Sequence, residues 1–116
     1  MMTNDAQFEL AVSGPSGVPV LRVEGEIDVA SAPGFHAAVS DLIGQGAKVV
    51  IVDMSDVSFI DSTGLGVLVS AEIEMREEGI DLRLVVTRPQ ITRLLELTGL
   101  DEVFTVLSNT NDAVKI

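Results

Sequence analysis

At 116 residues and 47% hydrophobic composition, the chain has room for one compact domain with one core and too little for two. Its formal net charge of -11, from 18 acidic against 7 basic side chains, repels phosphate backbones and anionic lipid, so neither nucleic acid nor membrane is an expected partner. The absence of cysteine excludes a disulfide framework, a thiol nucleophile and a thiolate metal site, and fits a reducing compartment.

Met1 to Glu9 lacks the basic and apolar blocks of a signal peptide, and no stretch reaches the roughly 20 apolar residues of a membrane helix. A soluble, cytoplasmic protein is expected. Phe8 to Val12 reads as a first strand, joined through Gly14-Pro15-Ser16-Gly17 to a second apolar run, Val18 to Val23, as an opening hairpin. After Gly25-Glu26-Ile27-Asp28, Ser31 or Ala32 begins a helix with Pro33 in its first turn. Phe35, Val39, Leu42 and Ile43 recur at helical spacing until Gly44 and Gly46. Val49 to Val52 is a β-branched run suited to a central strand buried on both faces.

From Ser62 to Glu78 the pattern is helical and stops at Gly79, and Leu82 to Val86 is another short strand. Thr87-Arg88-Pro89-Gln90 offers a capping box for a third helix that ends at Gly99, with Leu100 placed as a hydrophobic clasp. Val103 to Leu107 forms a last strand, and 108–116 reads as a loose tail. The order β-β-α-β-α-β-α-β specifies an α/β fold: a single domain over 1–116 whose mixed sheet is led by an N-terminal hairpin, with helices packed on it.

The helix after Ser62 carries two apolar stripes. Gly64, Leu68, Ala71 and Met75, with Val67 beside them, form the natural core face. Leu65, Val69 and Ile73 form a second stripe flanked by Ser62 and Gly66, which is either covered by a neighbouring element or open as a docking patch. Ser62 stands at the helix N-terminus, where an oxygen is favoured, so it reads either as a cap or as an acceptor of a phosphoryl group. A phosphoryl group would add roughly -1.5 to -2 charges close to Asp61, Asp56 and Asp28.

Self-contained chemistry finds little support. The only histidine, His36, lies on the first helix away from Ser62, and Ile60 stands where a Gly-x-Ser-x-Gly elbow needs its first glycine. Asp28, Asp53, Asp56 and Asp61 could gather around Mg²⁺ or act as solvated turn residues. A receiver-type phosphoacceptor at Asp53 lacks an early acidic pair, and the lysines are Lys48 and Lys115 alone. Phosphate-loop and dinucleotide fingerprints are missing. No catalytic residue, metal or cofactor is expected.

Two segments, "GEIDVASAP" (25–33) and "VDMSDVSFIDSTGLGVLV" (52–69), resemble the signature stretches of bacterial anti-sigma factor antagonists, the STAS-domain regulators. Their spacing and the order of elements extend the resemblance from about Phe8 to Leu107. The resemblance implies that Ser62 is phosphorylated by a partner anti-sigma factor, itself a serine kinase with a histidine-kinase-like ATPase fold. The unphosphorylated chain would bind that factor and free a sigma factor, and a PP2C-type phosphatase would restore the serine. ATP and Mg²⁺ would belong to the kinase. Asp28, Asp61, Thr63 and Gly64 would support the phosphorylation site, Thr63 being a second-choice acceptor. Leu65, Gly66, Val69 and Ile73 would supply partner contacts, with the chain a monomer or weak dimer. Related STAS domains imply an alternative, a scaffold subunit of a stressosome-like or lipid-transport complex.

Overall fold

The computed structural model describes residues 6–13 and 17–114. The expected turn at Gly14-Pro15-Ser16, the first five residues, Lys115 and Ile116 lie outside them. Five strands form one sheet in the order β1-β2-β3-β4-β5, in which β1 (Gln7–Ser13) pairs antiparallel with β2 (Val18–Ile27). β3 (Val49–Ile60), β4 (Asp81–Val85) and β5 (Thr105–Leu107) each run parallel to the strand before them. The connections are α1 (Ala32–Ser40), α2 (Ser62–Glu77) and α3 (Pro89–Thr98), so the expected mixed α/β sheet led by a hairpin is the fold observed.

Alternation along the strands divides the sheet into two faces. Leu21, Val23, Val50, Val52, Met54, Leu82 and Leu84 point to one side, where Phe35 and Val39 of α1, Leu68 and Met75 of α2, and Ile91 and Leu95 of α3 close a single large core. Val18, Val20, Val49, Ile51 and Val85 point to the other side. Their cover is a short helix, α4 (Thr110–Ala113), whose Ala113 is fully buried among them. The loose tail expected from Ser108 is therefore corrected over 109–114. Asn109 accepts the Asp112 N–H at 2.8 Å as an N-cap, and Arg83 Nη1 donates to the Ala113 carbonyl at 2.7 Å.

Several boundaries also move. β2 and β3 run well past Val23 and Val52: they stay paired out to Ile27 and Ile60, through two register shifts, with Gly25 at φ 94. Polar Asp53, Ser55 and Asp56 look like loop residues, yet Met54 among them and Val57 and Ile60 beyond them are buried, which is what holds this stretch in the sheet. α1 ends at Ser40, and Leu42 enters the core from the turn that follows. The capping box is not formed: α3 starts one residue later than Thr87 requires, so Arg88 holds the N-cap position, and its guanidinium, which has no acceptor, cannot cap; its Nε donates to the Ser55 carbonyl at 3.1 Å. Gly99 ends α3 in the left-handed region at φ 75, as expected, and a 3-10 turn, Leu100–Glu102, precedes a final strand shortened to three residues.

Because α4 covers apolar strand residues that would otherwise face water, deleting 108–116 is expected to lower stability by about 1–3 kcal/mol in urea unfolding. An unchanged midpoint would show that this face needs no cover.

Candidate functional site

The site grows from the far ends of β2 and β3. Ile27 and Ile60 are register partners there, and the Asp61 N–H donates to the Ile27 carbonyl at 3.1 Å, which draws the start of α2 against the end of β2. Asp61 is extended, and its Oδ1 accepts the N–H groups of Thr63 at 2.9 Å and Gly64 at 3.1 Å. The cap of α2 is thus Asp61, and of the two readings of Ser62 the cap is the one the structure removes: an aspartate one residue earlier already satisfies first-turn donors. Ser62 is the first helical residue, exposed, and its side chain joins no hydrogen bond among the described residues. Thr63 beside it is exposed as well.

Gly64 is buried where α2 crosses the strand ends. A β-carbon there would lie 2.6 Å from Ile27 Cγ2 and 2.7 Å from Ile60 Cγ1, so only glycine lets the helix approach this closely. Its role is steric, beneath Ser62. Gly66 is different: it is exposed, and a β-carbon there meets nothing within 4 Å.

The second apolar stripe is narrower than expected. Leu65 is only 9% exposed and packs into the main core, which corrects its placement on an open surface. What remains is a line at i, i+4, i+7 and i+11: Ser62, exposed Gly66, half-buried Val69 and Ile73, the last 55% exposed. Two exposed apolar side chains that the sequence reading did not select, Val29 after β2 and Phe59 near the end of β3, stand at the same end of the sheet. For Phe59 the signal was present, since β alternation turns it away from buried Ile60.

The four aspartates do not assemble into one centre. Asp28 Oδ1 accepts the N–H groups of Ala30 at 3.0 Å and Ser31 at 3.2 Å and so closes the turn into α1. Asp53 Oδ1 accepts from Ser55 N–H and Oγ–H at 3.0 and 2.6 Å. Asp56 accepts from Arg22 Nη2 at 2.9 Å, a hydrogen bond that raises the guanidinium above its ordinary pKa. Asp61 caps α2. Among the described residues no three acidic, histidine or cysteine side chains are grouped to hold a metal ion. His36 is exposed on α1 and makes no hydrogen bond to Ser62. Among the described residues no helix is long and apolar enough to cross a membrane.

Comparison with known proteins gives a consistent picture. A family model described as STAS domain matches residues 9–113. An anti-sigma-B factor antagonist of Bacillus subtilis is 35% identical over 95 residues, covering 82% of this chain and 86% of that protein. An anti-sigma-F factor antagonist of Mycobacterium tuberculosis, RsfB, is 31% identical over 116 residues, covering 97% and 92%. The crystal structure of an anti-sigma factor antagonist from Mycobacterium paratuberculosis superposes with a TM-score of 0.85 at 27% identity, covering 97% of this chain and 94% of that one.

The contrast between the two glycines is measurable. Gly64→Ala is expected to cost about 1–3 kcal/mol in urea unfolding through overpacking against stiff isoleucines, whereas Gly66→Ala is expected to be neutral or to stabilise by up to about 1 kcal/mol. Asp61→Ala should cost about 1 kcal/mol through loss of the cap.

Proposed function

The chain belongs to the STAS-domain family, and we propose on that footing that it is an anti-sigma factor antagonist switched by phosphorylation of Ser62. The observation that carries this reading is the condition of Ser62: a hydroxyl at the first position of α2, open to solvent, free of capping duty, and held on a platform that Asp61 and Gly64 make rigid. A kinase can reach such a group without unfolding the helix that carries it.

The docking surface in this reading is the line of Gly66, Val69 and Ile73 running from Ser62, extended at the sheet end by Val29 and Phe59. Apolar contacts of this kind lose little when a neutral serine sits at their edge. A phosphoserine there is another matter. Asp61 Oδ1 already occupies the Thr63 and Gly64 N–H groups, so a phosphate finds those donors taken and a carboxylate next to it, and its charge faces the partner. Repulsion and desolvation at the interface then weaken binding without any change in the fold of the chain. Asp28, with its carboxylate committed to the turn before α1, acts by holding that turn against the site.

The partner is an anti-sigma factor that is also a serine kinase; it supplies ATP and Mg²⁺, and a PP2C-type phosphatase reverses the modification. In this reading the chain works in the cytoplasm as a binding module with no catalysis of its own.

Titration of the chain against its anti-sigma factor tests the switch. Ser62→Ala should bind as the unmodified chain does and resist phosphorylation, Ser62→Asp should bind at least about tenfold more weakly, and Ile73→Asp should weaken binding by a similar factor. Tight binding by Ser62→Asp would contradict repulsion as the mechanism, and an unaffected Ile73→Asp would remove this face of α2 from the interface.

A further inference from the structure

The sheet has two edges, and they are treated differently. β5 is three residues long, too short to template another strand. β1 is seven residues long, pairs with β2 in an unbroken register without a bulge, and among the described residues no strand lies on its outer side. Its sequence, Gln-Phe-Glu-Leu-Ala-Val-Ser, carries little of the usual edge protection: it has no lysine, no arginine and no proline, and Glu9 is its one charge. Every second residue of such a strand turns its N–H and C=O groups outward. On the helix-bearing face, Phe8 stacks on Phe35 at 5.8 Å between centroids, but Leu10 and Val12 reach past the helices and are 54% and 71% exposed. Among the described residues this leaves an unpaired strand edge and two adjoining apolar side chains.

We propose that β1 pairs with β1 of a second copy of this chain, antiparallel and centred on Leu10, joining two five-stranded sheets into one of ten strands. The sequence of the strand is complementary to itself in that register. Leu10 faces Leu10, Phe8 faces Val12, Gln7 faces Ser13, and Glu9 faces Ala11, so the only charge on the strand meets a methyl group and not its own copy. Directly opposed residues lie on the same face, which puts Phe8, Leu10 and Val12 of both copies into one apolar strip beside α1. A strand centred on Glu9 would set the two carboxylates against each other, and one centred on Ala11 would leave Phe8 unopposed.

The wider electrostatics oppose this contact, since each copy carries a net charge of -11. Long-range repulsion of that kind is screened by salt, whereas the strand hydrogen bonds and apolar strip are not, so association should strengthen as ionic strength rises. A seven-residue contact is small, and the dimer is correspondingly weak. Ser62 is at the far ends of β2 and β3 and stays accessible in both copies. The inference rests on the sheet alone and is independent of the phosphorylation reading.

Two experiments on the purified chain test it. In sedimentation equilibrium from about 10 µM to about 1 mM, the wild-type chain should show a monomer–dimer equilibrium that tightens at least about threefold between roughly 0.05 and 0.5 M NaCl. The double variant Leu10→Lys, Val12→Lys should keep its circular dichroism spectrum and thermal midpoint, because both side chains are largely exposed, and weaken association at least about tenfold. The second experiment uses the absence of native cysteine. Leu10→Cys should form an intermolecular disulfide on mild oxidation, since directly opposed Cα atoms lie about 4.5–5.5 Å apart, inside the disulfide range. Val12→Cys should not, because four residues of offset separate the two positions by about 14 Å. A monomer throughout, a dimer unaffected by the lysines, or faster cross-linking at position 12 than at position 10 would each overturn the proposal.

Discussion

The close approach of α2 to the ends of β2 and β3 is the constraint on which the rest of the molecule depends. At Gly64 the helix lies so near Ile27 and Ile60 that a methyl group would overlap both. That contact fixes the height of the helix above the sheet, and the Asp61 N–H bonded to the Ile27 carbonyl fixes where the helix begins. Leu65, Leu68, Ala71 and Met75 then enter the core behind it, and Ser62 is left on the outside with no structural task. A residue that carries no structural load can be modified without unfolding what surrounds it, which is a physical requirement of any switch that must be reversible.

The same economy governs the carboxylates. A chain with this much acidic character would suffer if its aspartates met at the strand ends, and each is instead committed separately: to a turn at Asp28, to Ser55 at Asp53, to Arg22 at Asp56, and to the helix cap at Asp61. On the face of the sheet away from the main core, α4 buries Ala113 against the small apolar cluster of Val18, Val20, Val49, Ile51 and Val85. The exposed apolar side chains that remain are concentrated on the Ser62 end of the sheet, along α2 and on β1, with Leu97 on α3 and Val103 after the 3-10 turn standing apart.

Much of this architecture was legible in the sequence because local signals agreed with one another. The glycines after α2 and α3, the β-branched run at Val49 to Val52 and the hairpin punctuation all pointed to the same order of elements. What was not legible depended on partners distant in the chain. β3 extends to Ile60 because β2 accompanies it, a fact hidden by Asp53, Ser55 and Asp56. The final helix forms because Val20, Ile51 and Val85 offer Ala113 a place to be buried. At the site, spacing grouped Leu65 with Val69 and Ile73, but helical spacing alone cannot say how wide a core face is, and Leu65 is buried in the core. Ser62 stands at the helix start, as the pattern from 62 onward implies, while the capping role belongs to Asp61.

The account turns on one chemical fact about one hydroxyl. Peptide mass spectrometry of the chain recovered from its native cells, under resting and stress conditions, reads that fact directly. A phosphate on Ser62 whose occupancy changes with condition, with Asp61 and Thr63 unmodified, is the expected result. Ser62 unmodified in every condition, in a chain found in a stable complex that contains no kinase, would contradict it and assign the domain to a scaffold.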